Sequence, residues 1–442
     1  MMTILLCIIK YGGGIFMLMT EMTKEQLEQV LTEAKSEYEG YKALGLALNM
    51  ARGKPAADQL SLTKDMLDVV NSSSDCKASD GTDCRNYGIL DGIKDTKKIF
   101  CDMLGVADEE LIVGGNSSLN LMYDTIARNY MFGVDKESTP WKDQGKLKWL
   151  CPVPGYDRHF AITERFGFEM INIPVSADGP DMDMIEKLVS EDESIKGIWC
   201  VPMYANPTGI TYSDETVKRF AALKPKAKDF RIFWDNAYCI HHLTDTPDTL
   251  LNILDECKKA GNDDMVYIFA STSKVSFAGA GVAVMASSKA NIEYVKYHMT
   301  VQTIGFDKIN QLRHAKFFGD FEGVKAHMKK HAAIIAPKFD AVIKALDENI
   351  KPLGIGSYNT PKGGYFIAFD TLDGCAKRVV ALCKEAGVVM TGAGATFPYG
   401  KDPKDSNIRI APTLPPIAEL EQAMKVFICA VKIASAEVLL AK

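Results

Sequence analysis

Ser271, Thr272, Ser273 and Lys274 stand between two apolar runs in "IFASTSKVSFAGAGVAVM", residues 268–285. Lysine is among the residues least often buried. At the end of a core strand, hemmed by apolar surface, its amine loses hydration and its pKa falls. Such an amine is a nucleophile near neutral pH and can form a Schiff base with a carbonyl. Alone, Lys274 reads more simply as a surface lysine in a loop. Asp235 ends a second apolar run in "FRIFWDNAYCIHH" (230–242). A carboxylate there can pair with a cationic ring nitrogen; a helix cap or a loop salt bridge is the plainer alternative. Tyr238, three residues on, could bring its hydroxyl to the same ligand. Asn206 in "YANPTG" offers an amide to a ring oxygen, although Asn-Pro and Thr-Gly both favour a simple turn. "GGNSS" (114–118) opens a helix, where free amides and hydroxyls make an anion site. Arg409 in "NIRIAPTLPP" sits in a strand-like apolar run and can grip a carboxylate through two parallel N–H groups. A structural ion pair is equally open for it.

The elements that must hold these residues alternate. "KLKWLCPV", "FEMINIPV", "IKGIWCVPMY", "FRIFWDNAY", "MVYIFAST" and "GVAVMASS" read as strands. The helices between them include "YDRHFAITERFG", "MDMIEKLVSED" and "SDETVKRFAALK", the last capped by Ser213. Near-continuous apolar strands alternating with helices predict an α/β fold with a mostly parallel sheet between helix layers. Ligands of such sheets sit at the carboxyl ends of the strands, and the polar clusters, "PGYD" (154–157) included, fall there. Upstream, "TKEQLEQVLTEAKSEYEGYKALG" and "GIKDTKKIFCDMLG" predict helices, and "LNMARGKPAADQLSLT" a loop. Beyond about residue 310 a long helical stretch and the strands "GGYFIAFDTL" and "GVVMTGAGATF" predict a smaller α+β domain. The expected division is a non-native or flexible extension over 1–20, an arm and part of the small domain over 21–75, a large cofactor-binding domain over 76–310, and the small C-terminal domain over 311–442.

The chain has 442 residues, 47% hydrophobic and 24% charged, with net charge −6. That balance is ordinary for a soluble globular protein and argues against nucleic-acid binding, which needs a basic face. Eleven scattered cysteines without a Cys-x-x-Cys pair argue against a disulfide or zinc framework and for a reducing, cytoplasmic setting. No metal site is expected. The first residues, "MMTILLCIIKYGGGIFMLMT", are apolar but broken by Lys10 and glycines, too interrupted for a membrane span, and they show neither the basic leader nor the Ala-x-Ala-like cleavage site expected of a signal peptide. They read either as a start-site artefact, with the true start at Met17, Met19 or Met22, or as a flexible arm.

Taken in order, the helix-start nest, the aromatic after "PGY", Asn-Pro-Thr-Gly, Asp-x-x-Tyr, Ser-x-Ser-Lys and the late arginine resemble the fold-type I, class I/II aminotransferases, which use pyridoxal 5'-phosphate. The resemblance covers roughly residues 25–440. "LNMARGKP", "NYGILDGIKDTKKIF", "TSKVSFAGAGVA" and "IGFDKINQLRHAKFF" look more narrowly like a bacterial aspartate aminotransferase subgroup. The resemblance implies that Lys274 carries the cofactor as a Schiff base and then shuttles protons. It implies that Asp235 holds the pyridine nitrogen protonated, that Asn206 and Tyr238 bond the ring oxygen, and that Tyr156 stacks on the ring. Asn116, Ser117, Ser271 and Ser273 would surround the phosphate. Tyr87 would reach the phosphate of a neighbouring subunit, implying a homodimer with shared sites. Arg409, backed by Gly53, would bind the substrate α-carboxylate. The substrates implied are an amino acid, foremost L-aspartate, and a 2-oxo acid, 2-oxoglutarate.

Two departures stand out. The segment after Lys274 lacks the phosphate-binding arginine of many relatives. "EYVKYHMTVQTIG" (293–305) lacks the arginine that takes the distal carboxylate in well-studied aspartate enzymes. Arg52, Lys54 and Arg313 are the candidates in its place. An alanine or aromatic donor, or a lyase or decarboxylase on the same scaffold, remains open because fold does not fix reaction. A non-catalytic regulator would need a basic DNA-binding module that the chain does not show.

Overall fold

The computed structural model describes residues 9–11 and 14–442, with side chains from residue 17 on. Its main sheet has eight strands: β1 (Leu111–Val113), β2 (Lys148–Val153), β3 (Glu169–Ser176), β4 (Gly179–Pro180), β5 (Ile195–Cys200), β6 (Arg231–Asp235), β7 (Val266–Ser271) and β8 (Ala283–Ala286). Their order is β1-β8-β7-β6-β5-β2-β3-β4. The run from β7 to β3 is parallel. β8 is antiparallel to both β7 and β1, and β4 to β3. Every residue of β5 and β6 is buried, because helices cover both faces of a parallel sheet. Side chains alternate across it. Trp149, Trp199, Phe233 and Phe269 fill one face, and Leu150, Ile198, Ile232, Trp234 and Ile268 the other.

Helix termini follow local signals. α1 (Lys24–Lys42) starts at a capping box of Thr23 and Gln26. The helix Lys94–Leu104 stops at Gly105, whose φ of 66° is left-handed. The long stretch after residue 307 is two helices, Lys308–Phe318 and Phe321–Asn349. Gly319 (φ 74°) breaks it, and Asp320 caps the second helix by accepting from the Gly323 amide at 2.9 Å.

A second, antiparallel sheet joins β9 (Gly356–Tyr358), β10 (Ile367–Thr371) and β11 (Asn407–Ile410). The C-terminal helix Ile417–Leu440 packs against α1, and the Tyr38 hydroxyl donates to the Leu382 carbonyl at 2.8 Å. Two expectations are corrected here. Only Val388–Val389 of "GVVMTGAGATF" is strand, pairing in parallel with Leu48–Asn49; its glycines turn the rest. The stretch after Asn49, expected to be loop, contains a short helix, Ala57–Ser61.

The expected extension over 1–20 lies partly outside the described residues. Within it, Ile9–Tyr11 pairs with Gly14–Phe16. Met19 has no exposed surface and belongs to the main core, so packing begins inside that stretch. Among the described residues no helix is long and apolar enough to cross a membrane, and the ten described cysteines are free.

Candidate functional site

The parallel strands deliver their C-terminal residues to one edge of the sheet. Asp235 ends β6 there and is almost fully buried. Its Oδ2 lies 2.9 Å from His159 Nε2, and the His159 ring is stacked on Trp199 with centroids 4.3 Å apart and planes 10° from parallel. The other oxygen, Oδ1, is buried without a partner. A buried acceptor left unpaired is costly, so this atom is set to meet a donor from a ligand. A protonated ring nitrogen fits it.

Lys274 lies in the 272–282 connection from β7 to β8. Its Nζ is 4.9 Å from the Tyr238 ring centroid and 5.9 Å from that of Tyr365. Loss of hydration pushes the amine below its usual pKa, and the charge of Asp235 opposes the shift only in part. The neck of the connection is fixed: the Thr272 amide donates to the Val282 carbonyl at 2.8 Å, and the Val282 amide donates to Thr272 Oγ1 at 2.9 Å.

A layer of histidines braces this connection from beneath. His314 Nε2 lies 2.8 Å from Ser276 Oγ and 3.2 Å from Thr272 Oγ1. His327 Nε2 lies 2.9 Å from the Val275 carbonyl and 3.0 Å from His331 Nε2. Gln59 Nε2 then bridges His331 Nδ1 and the Tyr365 hydroxyl. Burial pushes His314 and His331 down to about 4 from 6.5. Unfolded, each takes a proton near pH 6.5; folded, only near pH 4. The unfolded chain therefore binds more protons between those values, and stability is lost as pH falls from 6.5 to 4. We expect the unfolding free energy from urea titration to fall across that window, by on the order of 2–3 kcal/mol for each histidine, and by less in His314→Gln. A constant value between pH 6.5 and 5 would show that both protonate in place.

Helix α2 (Ser118–Phe132) starts at the cleft. The side chain of its cap residue Ser117 makes no capping bond, so the Ser118 and Leu119 amides stay available to an anion, while the Asn120 amide donates to the Ser117 carbonyl at 3.2 Å. Ser117, Ser118, Ser271 and Ser273 line the same cleft. The Ser271 hydroxyl donates to that of Ser273 at 3.0 Å. On the opposite wall, Arg409 of β11 is 8% exposed. Its Nη1 donates to Asn206 Oδ1 at 3.2 Å and to Asp157 Oδ1 at 3.0 Å. The Asn206 carbonyl oxygen is thereby engaged, which leaves its NH₂ group for a ligand. The guanidinium stands 4.9 Å from the Phe366 ring centroid. Gly53 runs so close to that ring that a Cβ there would overlap it, which explains a glycine at this position. Burial, with Asp235 adding to it, raises the Tyr156 hydroxyl to about 12; burial holds that of Tyr238 well above its usual value.

The cleft has a volume of about 510 Å³. It brings together Lys274, Asp235, Tyr238, Tyr156, Asn206, Ser117, Ser271, Ser273, Arg409, Gly53, Arg52 and Lys54 of the residues singled out in the sequence. Three others lie elsewhere. Asn116 turns its amide to the Gly279 carbonyl at 3.5 Å. Tyr87 is 83% exposed, away from its own chain's cleft. Arg313 belongs to the helix that packs beneath the lysine connection, and its Nε is buried outside the cleft. Sequence reasoning passed over His159, Asp157 and Arg158. They share one helix turn, and nothing in "PGYDRHF" separates a site histidine from an ordinary core histidine. Among the described residues no cluster of His, Cys, Asp or Glu is arranged to hold a metal ion.

A profile of the aspartate amino-transferase family matches residues 22–442. An aspartate aminotransferase of Corynebacterium glutamicum is 46% identical over 405 residues, which are 92% of this chain and 93% of that protein. The crystal structure of an aspartate transaminase from the same species superposes with a TM-score of 0.93 at 44% identity, covering 96% of this chain and 99% of that one. At 18% identity, the α-aminoadipate aminotransferase LysN of Thermus thermophilus, solved with N-(5'-phosphopyridoxyl)-L-leucine, shares the fold with a TM-score of 0.70 over 88% of this chain and 93% of its own. A lysine short of hydration, a buried carboxylate oxygen awaiting a donor and an arginine across the cleft thus stand on the scaffold of a transaminase, and the chain belongs to the aspartate amino-transferase family.

Proposed function

We propose that the protein transfers the α-amino group of L-aspartate to 2-oxoglutarate, with pyridoxal 5'-phosphate held covalently by Lys274. The observation that carries this reading is the pairing of the poorly hydrated Lys274 amine with the unpartnered Asp235 Oδ1 on one cleft floor. The C. glutamicum relative's name supports the choice of aspartate.

When bound, pyridoxal phosphate supplies an electron sink that lets the α-carbon of the amino acid lose its proton. The chain does the rest. Asp235, oriented by His159, keeps a proton on the ring nitrogen. The Asn206 NH₂ group and the Tyr238 hydroxyl donate to the ring oxygen, and Tyr156 covers a ring face. Ser117, Ser271, Ser273 and the first amides of α2 take the phosphate. Arg409 takes the α-carboxylate through two parallel N–H bonds. Lys274, freed when the substrate's amino group takes its place, would carry the proton from the α-carbon to the former carbonyl carbon of the cofactor.

The cleft favours a dicarboxylate. Arg52, Lys54 and Arg158 line it and have no acidic partner among the described residues. Arg158 takes the place of Arg313 as a candidate for the distal carboxylate. The reading includes a homodimer with shared sites. Tyr87, Ile89, Tyr297, Val301 and Ile304 are exposed, and Gly305 touches the backbone at Gly88 and Ile89, so the two segments adjoin. An apolar patch of this kind supports an interface, across which, in this reading, Tyr87 reaches the other subunit's phosphate. In this reading residues 76–310 hold the cofactor, 21–75 and 311–442 close over the substrate, and the free cysteines suit a cytoplasmic enzyme.

Purified protein given L-aspartate and 2-oxoglutarate should form oxaloacetate and glutamate at matched rates. Turnover with alanine or aromatic donors alone would discard the dicarboxylate preference. Turnover without any oxo acid would discard transamination.

A further inference from the structure

We propose that Asp157 is a built-in rival of the substrate for Arg409, one that an incoming carboxylate must displace. The inference rests on Arg409 as the carboxylate receptor. The resting arginine is already engaged: Nη1 bonds Asp157 Oδ1 and Asn206 Oδ1, while Nε is buried without a partner. A free carboxylate meets a guanidinium through two parallel N–H bonds, whereas Asp157 reaches it through one. The exchange therefore favours the ligand.

Asp157 is also suited to leave. Its side chain is 35% exposed, against 8% for Arg409. It is the first residue of the helix Asp157–Arg165, where the amino-terminal partial charge favours a carboxylate once it turns to solvent. Asn206 is buried and keeps its bond to Nη1, so the guanidinium is not released when Asp157 goes.

The consequence is selection. While Asp157 is in place, Arg409 offers little uncompensated charge to weakly held anions or neutral acceptors. Only a ligand that brings its own carboxylate replaces what it removes. Asp157 also competes for the site when product leaves, so it favours release. It touches the receptor and not the reacting atoms, which makes it a positioning residue.

The test is binding of succinate, an unreactive dicarboxylate, to the holoenzyme by titration calorimetry, with KM and kcat measured for L-aspartate and 2-oxoglutarate. Asp157→Asn and Asp157→Ala should each bind succinate roughly three- to tenfold more tightly, the gain expected when a partly exposed ion pair no longer has to be broken. KM should fall for both substrates, with kcat equal or lower. Asp157→Glu, which keeps the rival charge, should stay near wild type. A general change in field would tighten the phosphate-bearing cofactor as well, whereas exchange at Arg409 leaves cofactor affinity as it is. Weaker or unchanged succinate binding in Asp157→Asn, or an equal gain in cofactor affinity, overturns the inference while Arg409 keeps its role. Failure of wild type and variants alike to bind succinate overturns the reading of the cleft, and the inference with it.

Discussion

Lys274→Ala is expected to end turnover, with a loss of at least about 10⁴-fold, the upper end of what a positioned general base contributes. Two functions go together. The variant has no amine to hold the cofactor covalently, and no base above the α-carbon. No nearby group substitutes. Among the described residues the only other lysine lining the cleft is Lys54, and it is exposed on the cleft wall. The Tyr238 and Tyr365 hydroxyls, both raised by burial, hold their protons at neutral pH. Steady-state rates measure the loss. Borohydride treatment followed by peptide mass analysis should find a stable pyridoxyl adduct on Lys274 in the wild type and none in the variant. Full activity in Lys274→Ala would refute the assignment.

Asp235→Asn should come second, because it keeps the shape and removes the charge. In the wild type Oδ2 is fixed by His159 and Oδ1 waits in a buried position. An amide cannot hold a proton on a ring nitrogen as a carboxylate does. Removing one member of a buried charged pair costs about 3–5 kcal/mol, which corresponds to a rate loss of roughly 10²–10⁴-fold. The cofactor should still co-elute with the variant on gel filtration, because Lys274 and the phosphate groups remain. Near wild-type kcat would mean that the ring nitrogen's protonation does not depend on this side chain. His159→Gln should lie between wild type and Asp235→Asn, since it loosens Asp235 without neutralising it.

Much of this site was legible because parallel strands buried on both faces read as unbroken apolar runs. The polar residues that end them, Asp235 after "RIFW" and Ser271 to Lys274 after "VYIFA", therefore stand out. Cap chemistry marked Ser213 and Gly105 in the same way. Other features had no local signature. Direction is one: "GVAVMASS" has the composition of its neighbours, yet β8 runs against them. Long-range partnership is another. Arg409 meets Asp157 across 252 positions of sequence, and Gln59 meets Tyr365 across 306. Arg158, His159 and Asp157 were missed for the same reason, since their surroundings come from strands and helices far away in the chain. Arg313 shows the converse: a basic residue in a family-like segment whose helix carries it under the floor.

The reversed strand β8 has one further effect. Had it run with its neighbours, the connection after β7 would have crossed to the far edge of the sheet and returned through a helix. Lys274 would then hang on a long tether. As it is, residues 272–282 leave the rim and come straight back to it, closed at the neck by Thr272 and Val282. Asp235 is one ladder step away, with the Asn236 amide bonded to the Phe269 carbonyl at 2.8 Å. Lysine and carboxylate are therefore mounted on a common chassis. Arg409 stands on the other, antiparallel sheet, so its distance from these two groups is set separately from the distance between them.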